Sequence, residues 1–138
     1  MILEKRRRNE INEAIIFLNQ YSVEAAFLVP TAVGLEKAIM DATAPLRDYL
    51  KSKNIHDFQE QGQGQENKVK VESFFITESS LLPTSASLYR PETKYGDPRI
   101  WFSKLNTYAK KNNLLAVISY EYKLYVLNFS DRKIADSI

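Results

Sequence analysis

Apolar residues along the chain change their spacing several times, and each change marks a new element. Ile11, Ile15 and Leu18 recur at helical intervals among Glu10, Asn12 and Glu13, which predicts an amphipathic helix over residues 1–21 that docks by this stripe. Ala25-Ala26-Phe27-Leu28-Val29, closed by Pro30, reads as a brief buried strand or extended segment. Leu35, Ile39, Ala42, Leu46, Tyr49 and Leu50 then step by threes and fours, a helical face running to about Leu50. Pro45 interrupts that face, and Thr43 is placed to cap a second segment with the proline in its first turn.

Residues 54–67 carry almost no apolar side chain, two glycines and four glutamines at alternate positions, the pattern of an exposed loop. From Lys68 polar and apolar positions alternate through Val69, Lys70, Val71 and Glu72 into Phe74-Phe75-Ile76, which predicts a strand with one wet face. A loop around Leu82-Pro83-Thr84 precedes a second alternating stretch, Ser85 to Arg90. Two prolines and a glycine between Pro91 and Pro98 call for a turn-rich projection, after which Ile100-Trp101-Phe102 re-enters the core. Ser103 is positioned to cap a short helix with Leu105, Tyr108 and Ala109, ending near Asn112-Asn113. Leu114 to Tyr120 and Tyr122 to Phe129 read as a hairpin, and residues 131–138 as a tail or the start of a linker. The order is α+β, with antiparallel strands the simplest way to join it, in one domain over residues 1–138.

Composition narrows the chemistry. The chain of 138 residues has no cysteine and one histidine, His56, which removes disulfides, thiolate catalysis, cysteine-ligated zinc and a histidine-centred triad. No apolar run approaches a membrane span and the start lacks a secretion signal, so the expected place is the cytoplasm, with no membrane partner. A net charge of +2 means that any nucleic-acid role must rest on local clustering of basic groups. Lys5 to Arg8 form one such cluster, read here as a solvated, frayed terminus.

Two loops combine polarity, glycine and basic neighbours. The stretch 57–70 offers Gln61, Gln63, Gln65, Asn67, Lys68 and Lys70; the stretch 90–101 offers Arg90, Lys94, Tyr95, Asp97 and Arg99, with Trp101 beside them. Amide side chains pair bidentately with adenine and arginine or lysine with guanine; a carboxylate accepts from cytosine, and lysines also neutralise phosphates. Loops edged by strands are placed to act as two arms around a duplex. Trp101, between Ile100 and Phe102, fits the core better than a base-stacking platform.

The stretch from Ser87 to Phe102, with Leu114-Leu115-Ala116-Val117 after it, resembles the second DNA-contacting arm and following strand of the N-terminal effector domain of EcoRII-type restriction endonucleases. The glutamine and glycine loop before Lys68-Val69-Lys70-Val71 resembles the first arm, with glutamines where that arm has basic and aromatic groups. The likeness covers residues 35–130. It implies the pseudobarrel of the plant B-three domains, a partly open antiparallel barrel with two or three helices, whose arms read the major groove of double-stranded DNA. It further implies a target-recognition module that is not itself catalytic, needs no cofactor for binding, and uses Mg²⁺ only through a C-terminal nuclease domain in a longer protein. Carried over by position, Lys94, Asp97 and Arg99 match the charged cluster of the second arm.

Two other classes compete. A self-contained Mg²⁺-dependent nuclease of the PD-(D/E)xK type needs an acidic residue followed by Glu-x-Lys in a strand, and Glu66-Asn67-Lys68 with Asp57 upstream, or Glu92-Thr93-Lys94, supplies the letters. Both triplets fall in loops, whereas a metal site needs rigid ligands. A protein-interaction module is suggested by eight tyrosines and seven phenylalanines, although Tyr89, Tyr120, Tyr122 and Tyr125 fall on expected strands, where aromatics are ordinary.

Overall fold

The alternating stretches pair as one sheet in a computed structural model that describes residues 2–137, apart from the side chains of residues 2–4 and of Lys94. Its strands are β1 (Ala26–Leu28), β2 (Met40–Asp41), β3 (Val69–Ile76), β4 (Leu81–Tyr89), β5 (Arg99–Phe102), β6 (Leu115–Tyr120) and β7 (Lys123–Asn128). They follow the order β1-β6-β7-β3-β4-β5-β2, curled into a half-barrel. The helices are α1 (Ile2–Asn19), α2 (Ala32–Lys37), α3 (Ala44–Ser52), α4 (Leu105–Tyr108) and α5 (Arg132–Ala135).

The α+β class and the open, barrel-like sheet match the expectation; a wholly antiparallel sheet and a count of two or three helices do not, since five helices form among the described residues. β3 and β7 run parallel, with Ser73 opposite Leu124 and Phe75 opposite Val126. The reason lies in the order of the chain. β6 and β7 form the expected hairpin, and its second strand, not its first, docks on β3, so the junction between the two halves of the sheet is a long-range pairing.

Leu88, Ile100, Phe102, Leu115, Val117, Leu124 and Val126 fill the concave side against Leu46 and Leu50 of α3 and Leu105 of α4. On the other side of β6 and β7, Ala14 and Leu18 of α1 meet Leu114, Ala116, Leu127 and Phe129, with Ile134 and Ala135 of α5. The start of β6 and the end of β7 are therefore buried on both faces, which explains the continuous apolar runs there. The docking stripe of α1 is rotated from the expected one: Ala14 is fully buried while Ile15 and Ile16 face outward. A small residue lets the helix lie close on the sheet. Residues read as a tail instead form α5, capped by the Asp131 carboxylate accepting from Lys133 N at 3.1 Å.

The helical face expected through residues 35–50 is two helices with a strand between them. Ala38 turns left-handed at φ 56°, and Met40 and Asp41 pair with Ile100 and Arg99. Thr43 stands at the start of α3 with Pro45 in the first turn, as the sequence indicates. Pro83 sits inside β4 rather than in a loop. It is tolerated there because β5 pairs only with residues Ala86 to Tyr89, leaving that flank of β4 open beside the proline. The short helix after β5 starts one residue later than expected, with left-handed Lys104 in place of Ser103 at its cap.

Candidate nucleic-acid interface

Both polar loops leave the same end of the sheet, because the first leads into β3 at Val69 and the second joins the end of β4 to the start of β5. In register, Val69 stands opposite Leu88, and Tyr89 opposite Arg99. The loops do not stand apart as two arms; they are bonded to each other. Gly64 N donates to Arg90 O at 2.8 Å, and the Arg90 guanidinium donates from Nε to Gly96 O at 2.8 Å and from Nη1 to Gln61 O at 3.2 Å. Gly96, at φ 69°, leaves the space that the Gln63 side chain occupies, so a Cβ there would collide with it. Gly64, at φ 107°, makes the corresponding turn in the first loop.

Gln61 is buried at the centre of this joint. Its Nε2 donates to Asn67 O at 2.8 Å and Leu88 O at 2.9 Å, while Oε1 lies 2.9 Å from His56 Nε2. Both amide hydrogens are taken and the group is buried, so it is not presented to a base. Arg90 directs Nε and Nη1 to internal carbonyls. These two, singled out from sequence as readers, act as the frame that holds the loops.

The rest divide by exposure. Gln63, Gln65, Asn67, Lys70, Tyr95 and Asp97 are exposed. Asn67 Nδ2 donates to Gln63 O at 3.0 Å, which closes the first loop on itself. Lys68 is half-buried with Nζ 5.0 Å from the centre of the Tyr89 ring, and Lys70 projects beside Ser87 on the outer face. Tyr95 is 96% exposed and held at φ 58°, a conformation uncommon for a residue with a Cβ, at the tip of the second loop. Lys94 opens that turn, and its side chain lies outside the described residues.

Arg99 is the outlier among the expected readers. Its side chain is 12% exposed, with Nη1 3.4 Å from Asp41 Oδ1 across the β2–β5 pair. Its Nε is buried with no hydrogen-bond partner among the described residues. Sequence reading placed this arginine on the loop; register places it on β5. His56, whose loop position reads as that of a hydrogen-bonding residue, completes the Gln61 network. Two contributors were missed: Tyr89, which supports Lys68, and Asp41, which holds Arg99. Only the Tyr89 contact had a signal in the sequence, since the two alternating strands place Lys68 and Tyr89 on the same outer face.

The nuclease letters fall apart in space. Asp57 accepts from Gln59 N at 3.0 Å and pairs with Lys51 Nζ at 3.6 Å, while Glu66 turns its carboxylate back over Gly64. Among the described residues no group of three His, Asp or Glu side chains is placed to hold a metal ion, and no helix is long and apolar enough to cross a membrane. Comparison with protein-family models, with curated proteins and with solved structures finds no match to this chain.

Proposed function

We propose that the chain is a sequence-specific, double-stranded DNA-binding domain, acting in the cytoplasm as the target-recognition or effector module of a type II restriction endonuclease and not itself catalytic. The observation that carries this reading is the joint at Gln61 and Arg90, which makes one preorganised edge of two polar loops and leaves Gln65, Lys70, Tyr95 and Asp97 exposed along it. Loops held rigid by a buried amide lose little entropy on binding, the requirement for reading a sequence rather than adhering to it. In this reading the joined edge enters the major groove as a single wedge. Gln65 and Asp97 meet base edges, Lys68 and Lys70 meet phosphates, and Tyr95 packs against the groove wall. The likeness of residues 35–130 to the EcoRII-type effector domain adds the restriction context and the expectation of a nuclease domain elsewhere in the full protein.

Selection from a pool of randomised duplexes tests it. One short site is expected to be enriched, with Gln65→Ala relaxing the choice at one base pair by roughly 1 to 3 kcal/mol. An unenriched pool would overturn the reading. Cleavage of plasmid in Mg²⁺ that disappears on Glu66→Ala would replace it with the nuclease.

A further inference from the structure

Charge is unevenly spread over the molecule. Residues 4–13, 110–113 and 130–136 hold eight of the 19 Lys and Arg residues against five of the 17 Asp and Glu residues. That exceeds the net charge of the whole chain, so the remainder is close to neutral. The three segments are also joined in space. Arg7 donates to Asn112 O, and Glu10 Oε2 accepts from Ser130 Oγ at 2.7 Å, so the first turns of α1 sit between the turn before β6 and the turn before α5.

They gather at the end of the sheet opposite the loops. Leu115 stands across from both Leu28 and Asn128, which puts the close of β1, the start of β6 and the close of β7 together. β3 is parallel to β7 and starts from the loop end, so that end is the far one. Two of the cations are neutralised, Arg7 by Glu10 at 2.6 Å and Arg132 by Asp136 at 3.1 Å. Lys5, Arg6, Arg8, Lys110, Lys111 and Lys133 are exposed and have no ion pair among the described residues. Glu13 is exposed in the same region, and Asp131 is engaged in capping α5.

The arrangement also opposes local stability. Lys5 stands in the first turn of α1 beside Glu4, where a cation faces the positive end of the helix, and Lys5 and Arg8, three residues apart, repel each other. The three segments contain no aromatic residue, so they lack the usual anchor of a protein interface, while separated point charges suit an evenly charged polymer.

We infer that this end is a second nucleic-acid contact, which grips the phosphate backbone of a duplex without reading its sequence. It stands independently of the loop edge. The test is fluorescence anisotropy of the full chain on a short duplex of random sequence over a range of salt. The variant Lys5→Gln/Arg6→Gln/Arg8→Gln is expected to flatten the salt slope by roughly 2 to 3 and Lys110→Gln/Lys111→Gln by roughly 2, each with at least a roughly tenfold loss of affinity at low salt. The control Lys53→Gln/Lys123→Gln is expected to keep the original slope, and circular dichroism to show all three folded. Unchanged slopes in the first two variants, an equal loss in the control, or equally tight binding of polyglutamate at the same salt would each overturn the inference. Failure to enrich a site in the randomised pool, with these slopes still altered, would remove only the loop-edge reading.

Discussion

The outer face of the sheet has two halves that differ in what covers them. Over β1, the start of β6 and the end of β7 it is covered by α1 and α5, and the outward residues Leu114, Ala116 and Leu127 are fully or almost fully buried. Over β3, β4 and β5 no helix among the described residues lies on it, and the outward positions are Lys70, Glu72 and Phe74, then Ser87 and Tyr89, then Arg99 and Trp101. The same alternation thus yields a second core on one side and a polar surface beside the loops on the other. Stability concentrates where both faces are dry; in the proposed reading, recognition falls to the half where a side chain can change without unfolding the sheet.

Cutting into the sealed half has the largest expected effect. Leu127→Ala removes a buried side chain between β7 and α1 and should lower stability by about 2 to 5 kcal/mol, read from the urea midpoint. Next comes the joint of the loops. Gln61→Ala leaves Leu88 O and Asn67 O without their donor, with an expected cost of about 1 to 3 kcal/mol and earlier protease cutting in residues 61–67.

Tyr108 ties the halves together, since its hydroxyl donates to Ile76 O at 2.6 Å at the end of β3 and accepts from Asn128 N at 2.9 Å on β7. Burial pushes this hydroxyl from the ordinary 10 up to about 12, so the folded chain keeps a proton that the unfolded chain releases. Its contribution is therefore intact below pH 10 and declines as pH climbs toward 12. Tyr108→Phe should flatten that decline in thermal melts, leaving the share of Tyr49, whose hydroxyl burial also pushes up. The smallest expected change in stability lies on the open half: Lys70→Ala should stay within about 0.5 kcal/mol of the parent while weakening duplex binding uniformly across sequences.

Much of the element order was legible because it depends on neighbours in the sequence. The alternation at Lys68 to Ile76, the hairpin of Leu114 to Phe129 and the polar loops around Gly64 and Gly96 all appear where spacing placed them. What escaped depends on partners far along the chain. No local pattern shows that Phe75 pairs in parallel with Val126, or that Ala14 rather than Ile15 faces the sheet. The candidate site fared the same way. Its location was legible from glycine and amide content, whereas the division between frame and surface was not, because Gln61 and Gln65 are the same residue type and differ only in having Leu88 O within reach. Arg99 looked like a loop residue until its pairing with Asp41 gave it a strand.

The pairing of β1 with β6 sets Ala26 against Val117. A chain emerging from the ribosome must wait for the second partner before the first can settle, so the edge strand and the helix preceding it stay without their docking surface for most of synthesis. During that interval Phe17, Leu18, Phe27 and Leu28 are bare, and a chaperone that holds short apolar stretches would find its target there rather than in the glutamine-rich loops.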